Sequence, residues 1–188
     1  EKARKLVLSD KCVSVFGSYT SASRKAVLPV FEKQDNLYFY PTLYEGFEYS
    51  RNMIYTGAAP NQNSVQLAEH MMREYGSRVY MVGSDYIYPY ESNRIMSDLL
   101  LERGGEKLGE RYVNLSSDPS SFIDVVNDIK AKRPDFIFST VVGQSTAAFY
   151  RAYADVGLDP ARMPIASLTT SETELQEMES GIATGHIT

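Results

Sequence analysis

The chain has 188 residues, which suits one domain of ordinary size or parts of two. Its 43% hydrophobic and 23% charged residues exclude a disordered chain, and its net charge of −5 disfavours a direct nucleic-acid role. The single cysteine, Cys12, permits neither an internal disulfide nor a cysteine-built zinc cluster, and no apolar run approaches the roughly 18 residues of a membrane span.

The first eight residues read as the interior of a charged amphipathic helix. Val13-Ser14-Val15-Phe16 predicts a strand that breaks at Gly17, followed by a helix over 23–33 with Pro29 near its middle. Leu37-Tyr38-Phe39-Tyr40 predicts the next strand, stopped by Pro41, and Met53-Ile54-Tyr55 a further extended piece. Gly57-Ala58-Ala59-Pro60 ends that piece, and a boundary between structural units is expected there, giving segments 1–56 and 57–188.

Beyond it, strands at 79–82, 112–115, 136–138 and 165–168 alternate with helices. The helices are expected after Asn61–Ser64, over 91–102, around Phe122, Val125, Val126 and Ile129, over 147–156 and over 171–180. Gly185-His186-Ile187-Thr188 resembles a strand just beginning, so both ends are expected to be cut from a longer polypeptide. The regular alternation predicts an α/β fold with mostly parallel sheets.

In open parallel sheets, ligands bind beyond the carboxyl ends of the strands. The segments found there are Gly17-Ser18-Tyr19-Thr20-Ser21, Tyr40-Pro41-Thr42, Gly83-Ser84-Asp85-Tyr86-Ile87-Tyr88, Ser139-Thr140-Val141-Val142-Gly143 and Thr169-Thr170-Ser171-Glu172. They are rich in hydroxyls and tyrosine rings and poor in charge. Hydroxyls donate and accept, and tyrosine rings exclude water, so the set suits a small, neutral, polar ligand bearing C=O and N–H groups. A phosphorylated ligand would want a glycine-rich cradle or nearby Arg and Lys, which these turns lack.

Gly143-Gln144-Ser145-Thr146-Ala147 approaches the G-x-S-x-G nucleophile elbow but has Ala147 at its last position. Helix capping by Ser145 or Thr146 is the expected role, and a serine-dependent amide hydrolase is the remote alternative. No metal site and no cofactor are expected: Asp118, Asp124 and Asp128 do not form a calcium loop.

The same turns resemble a known family. Gly17-Ser18-Tyr19-Thr20-Ser21-Ala22-Ser23-Arg24-Lys25, Tyr40-Pro41-Thr42-Leu43-Tyr44-Glu45-Gly46 and Gly57-Ala58-Ala59-Pro60-Asn61-Gln62 look like segments of short-chain amide and urea binding proteins. So do Gly83-Ser84-Asp85-Tyr86-Ile87-Tyr88-Pro89 and Ser167-Leu168-Thr169-Thr170-Ser171-Glu172. The resemblance covers almost the whole chain in order. It implies a type I periplasmic-binding-protein fold of two Rossmann-like lobes, with 1–56 ending the N-terminal lobe and 57–188 forming most of the C-terminal lobe.

By resemblance, the ligand contacts are Tyr19, Ser21, Tyr40, Thr42, Tyr86, Tyr88 and Thr169. The implied role is non-catalytic binding of urea, acetamide or a similar amide in an inter-lobe cleft, signalled by hinge closure. The implied setting is the periplasmic receptor of an ABC transporter, delivering to its membrane subunits. The alternative is a cytoplasmic amide-sensing regulator of aliphatic amidase expression, acting on a regulatory protein partner. Self-association into a homo-oligomer is compatible with both.

Overall fold

The computed structural model describes residues 1–179 and 181–188. It divides into two compact units, Glu1–Asn63 and Ser64–Thr188.

The first unit starts with α1 (Lys2–Arg4), which widens into a π-helical turn over Lys5–Ser9. β1 (Ser14–Phe16), β2 (Leu37–Tyr40) and β3 (Met53–Tyr55) pair in parallel in that order, and α2 (Ser21–Lys33) joins the first two. Side chains alternate across a strand. Tyr38, Tyr40 and Met53 therefore share one face, where they meet Phe31 of α2 and Ala3 and Val7 of the first helical segment. Phe31 stacks on Tyr38 with centroids 4.6 Å apart.

The boundary lies seven residues later than expected, because 57–63 are held by the first unit. A Cβ on Gly57 would stand 2.1 Å from the Thr42 carbonyl oxygen, so only glycine allows this approach. The Tyr44 amide donates to the Ala58 carbonyl at 3.2 Å, and Pro60 lies against Gly46.

The second unit contains α3 (Ser64–Glu74), β4 (Arg78–Ser84), α4 (Ile87–Glu102) and β5 (Glu106–Val113). A 3-10 turn, Pro119–Phe122, leads into α5 (Ile123–Lys132); β6 (Phe136–Thr140), α6 (Gln144–Asp155), β7 (Ile165–Ser167) and α7 (Glu172–Gln176) follow. Its sheet is parallel throughout, in the order β5-β4-β6-β7. Ile187 adds a single parallel bridge to Ala166.

Two buried layers flank this sheet. Tyr80, Val82 and Ile137 face Val126, Ile129 and Phe149 of α5 and α6. Val79, Met81, Phe136 and Phe138 face Ala68, Met71 and Met96 of α3 and α4. Each large side chain so buried contributes about 1.5–3 kcal/mol. Both faces being covered explains why β4 and β6 read as continuous apolar runs.

The structure corrects some element limits. The second strand of the regular alternation falls at Glu106–Val113, not 112–115. It is an edge strand, so its charged residues stay wet and hide its pattern. It carries one extra residue, Leu108, where Val79 pairs Lys107 but Tyr80 pairs Gly109. α4 begins at Ile87 rather than 91, since Pro89 is tolerated in a first turn. α7 stops at Gln176, short of the expected 180; Ser180 lies outside the described residues.

Candidate functional site

In the first unit the strand-end turn is tied down by tyrosines. Gly17, with φ of +140°, lets the chain leave β1 sharply. Thr20 then caps α2, its hydroxyl accepting from the Ser23 amide at 3.2 Å. Tyr40 donates its hydroxyl to the Tyr19 carbonyl at 2.8 Å, and Thr42 donates to the Ser18 carbonyl at 3.3 Å. Tyr38 donates to the Ser18 hydroxyl at 2.9 Å and accepts from the Ser18 amide. Tyr40 and Thr42 thus hold the turn's backbone, while the Tyr19 side chain projects, 68% exposed. Tyr38 was not among the expected site residues. Period-two alternation carries the signal, since Tyr38 shares a face with Tyr40.

Ser21 is buried, and its hydroxyl donates to Glu45 Oε2 at 2.7 Å. Glu45 also meets the fully buried Arg24, with Nη2 2.6 Å from Oε1. Arg24 Nε donates to Glu48 Oε1 at 2.9 Å, and its guanidinium lies over the Tyr40 ring at 4.8 Å. Tyr55 donates to Glu48 at 2.6 Å, and Lys25 pairs with Glu48 at 3.0 Å. Burial disfavours charge on Arg24, but hydrogen bonds and attraction from Glu45 and Glu48 outweigh it and raise its pKa. Burial likewise opposes the Glu48 carboxylate, yet hydrogen bonds from Tyr55, Arg24 and Lys25 hold it below its ordinary value. The cluster ties the irregular loop 41–52 to the start of α2. Two glutamates spaced i, i+3 in an aromatic loop were its sequence trace.

In the second unit, the strand ends carry hydroxyls that already have partners. A Cβ on Gly83 would lie 2.7 Å from Thr140 Oγ1 and 2.8 Å from Pro89 Cβ, so glycine lets the end of β4 close on α4. Ser84 accepts from the Val142 amide at 3.1 Å, and Thr140 donates to Asn93 Oδ1 at 2.9 Å. Thr169 donates to the Val141 carbonyl at 2.6 Å. Ser167 Oγ accepts from the Thr169 and Thr170 amides, each at 3.1 Å. Tyr86 stands half-buried at the N-cap of α4; Tyr88, the second residue of the helix, is buried, with ring centroids 6.4 Å apart. Asp85 is exposed and accepts from Tyr90 at 2.6 Å.

Ser145 is fully buried, and its oxygen accepts from the Ser117 amide at 2.8 Å. It anchors the loop after β5, a role that neither helix capping nor a nucleophile describes. Among the described residues there is no group of three or more His, Cys, Asp or Glu able to hold a metal ion.

Behind Thr170, a cavity of about 270 Å³ is lined by Tyr150, Thr170, Leu175, His186 and neighbouring residues. His186 Nδ1 accepts from the Ile165 amide at 2.9 Å, and its ring meets Tyr150 and Tyr153 edge-on, each 4.9 Å away. That acceptor role puts the proton on Nε2. Burial pushes the imidazole pKa down to about 4.

A parallel α/β architecture with turn-bearing strand ends matches known proteins. The family profile described as periplasmic binding protein domain matches residues 1–188. The chain belongs to this family. A solute binding protein of an ABC transporter from Rhodopseudomonas palustris HaA2, in complex with p-hydroxybenzoic acid, is similar in fold, with a TM-score of 0.85 and 22% identity. The similarity covers 97% of this chain and 50% of that one. A periplasmic binding protein from Burkholderia mallei matches with a TM-score of 0.80 and 16% identity, over 96% of this chain and 48% of that one. The leucine binding protein LivK from Thermotoga maritima MSB8 matches with a TM-score of 0.75 and 15% identity, over 88% and 47%. The chain thus spans about half the length of these periplasmic binding proteins.

Proposed function

We propose that this chain is part of the solute-binding component of an ABC transporter, working in the periplasm without making or breaking bonds. Its ligand is a small, neutral, polar molecule of the amide or urea class, with hinge closure as the signal read by the membrane subunits. The observation that carries the ligand class is electrostatic. No strand-end turn in either unit contains Lys, Arg or His. The one buried guanidinium beside those turns, Arg24, is already engaged by Glu45 and Glu48. A carboxylate would have to be desolvated there without a cation, which costs far more than burying an amide that meets hydroxyls.

The placement of side chains supports two kinds of role. Tyr19 and Tyr86 project toward solvent or stand half-buried, and we assign them to ligand contact. Ser21, Tyr40, Thr42 and Thr169 have hydroxyls engaged with protein groups, and we assign them to shaping the turns. Tyr88 belongs with Tyr86 at the start of α4.

Isothermal titration of the complete gene product with acetamide, urea, 4-hydroxybenzoate and leucine tests this reading. Heat from an amide, weakened in Tyr86→Phe and more so in Tyr40→Ala, is the expected result. Saturable binding of 4-hydroxybenzoate or leucine with no heat from either amide would reject the ligand class.

A further inference from the structure

We propose that Glu45 sets the charge class of the ligand: its carboxylate cancels the buried Arg24 behind the first strand-end turn, and without that carboxylate the same turn takes anions. The inference rests on the reading of the ligand as a neutral amide. α2 opens directly after the turn, with Thr20 as its cap and Arg24 and Lys25 as its fourth and fifth residues. The start of a helix is already electropositive, and carboxylates are the usual charges there. The first turn of α2 contains no acidic residue. By its own sequence this corner would attract an anion. The opposing charges come from elsewhere in the fold, as Glu45 and Glu48 of the loop 41–52.

Ser21 links this balance to the turn. Its hydroxyl donates to Glu45 Oε2 at 2.7 Å and accepts from Arg24 Nη1 at 3.2 Å. Glu45 Oε1 lies 2.6 Å from Arg24 Nη2, so one carboxylate engages both the serine's proton and the guanidinium. Tyr40, whose hydroxyl holds the Tyr19 carbonyl, presents its ring to the same guanidinium. Lys25 and Glu48, 3.0 Å apart, complete a set of two cations and two anions with no net charge. Arg24 and Glu45 are both buried, where water and salt screen a charge little. Glutamine at position 45 keeps the volume and an acceptor for Ser21. It leaves one positive charge uncancelled behind the turn.

Acetamide and acetate, like urea and bicarbonate, share a shape and differ in charge. The ratio of affinities within a pair therefore reads charge preference separately from fit. Isothermal titration of the complete gene product near neutral pH tests the inference. The native protein should bind the neutral member and not its anion. Glu45→Gln should narrow that preference about tenfold, the order expected of one unit charge about 10 Å away at an effective dielectric near 20. Glu48→Gln leaves the contacts among Ser21, Arg24 and Glu45 in place and should narrow it in the same direction, which keeps the test decisive if Glu45→Gln does not fold. Adding Arg24→Gln to Glu45→Gln removes both charges and should return the ratio to its native value, a rescue that loop packing alone would not produce. An unchanged ratio in a folded glutamine variant would overturn the inference and leave the amide reading standing. A native protein that binds neither acetamide nor urea would overturn the amide reading, and this inference with it.

Discussion

The hydroxyl of Tyr40 donates to the carbonyl oxygen of Tyr19 across 2.8 Å, joining the end of β2 to the turn after β1. The aromatic side chain therefore acts on its neighbour's backbone. Tyr40→Phe keeps the ring under Arg24 and removes the hydroxyl that makes this bond. The expected loss is about 1–2 kcal/mol of stability, read as a lower denaturation midpoint with an unchanged slope. An unchanged midpoint would mean that the bond contributes nothing.

Arg24 is the fully buried centre of the ion cluster, and Glu45 and Glu48 are its partners. Removing Glu45's charge leaves the buried guanidinium with Glu48 as its one remaining carboxylate partner in the cluster. Glu45→Gln should therefore cost about 3–5 kcal/mol. Arg24→Lys should also destabilise, because a single ammonium cannot reproduce the spread of the guanidinium donors toward two carboxylates. Urea denaturation of the three proteins side by side checks both statements.

His186 sets an acid limit on the second unit. The unfolded chain takes up a proton near 6.5, while the folded imidazole resists until about 4. The unfolded state binds more protons between those values, so stability is complete above the first and declines as pH falls toward the second. The decline should be about 2–3 kcal/mol, and His186→Asn should remove it, since its amide oxygen can still accept from Ile165. Denaturation midpoints measured across the window decide; an equal decline in both proteins would show that His186 is not its source. Glu48 acts lower still: its folded value is depressed, so its contribution is present above the ordinary carboxylate value and lost as pH falls through the folded one.

Ser145 is buried, with its oxygen facing the Ser117 amide. A fluorophosphonate serine reagent should leave the protein unlabelled by mass spectrometry. Acetamide and urea incubated with it should persist. Stoichiometric labelling of Ser145 with loss of acetamide would establish catalysis.

The alternation of strands and helices was legible because the central strands are bounded by glycine and proline and carry unbroken apolar runs. β2 and β3 fall where their tyrosines, phenylalanine and isoleucine predict. β5 was misplaced because an edge strand keeps its charges, and only its last residues look like a strand. The strand-end turns were legible from position alone. What their hydroxyls do was not. Ser21 facing Glu45, and Thr169 facing Val141, are pairings between residues 24 and 28 positions apart, and no local pattern announces them. The unit boundary slipped for the same reason: Gly57 marks the end of a strand in sequence, while its close approach to Thr42 is a tertiary fact.

The Thr169 hydroxyl spends its proton on the Val141 carbonyl. Any guest that wants this proton must offer a better oxygen than a peptide group does. A hydroxyl so committed serves the chain first: it pins the turn after β7 to the loop that leaves β6.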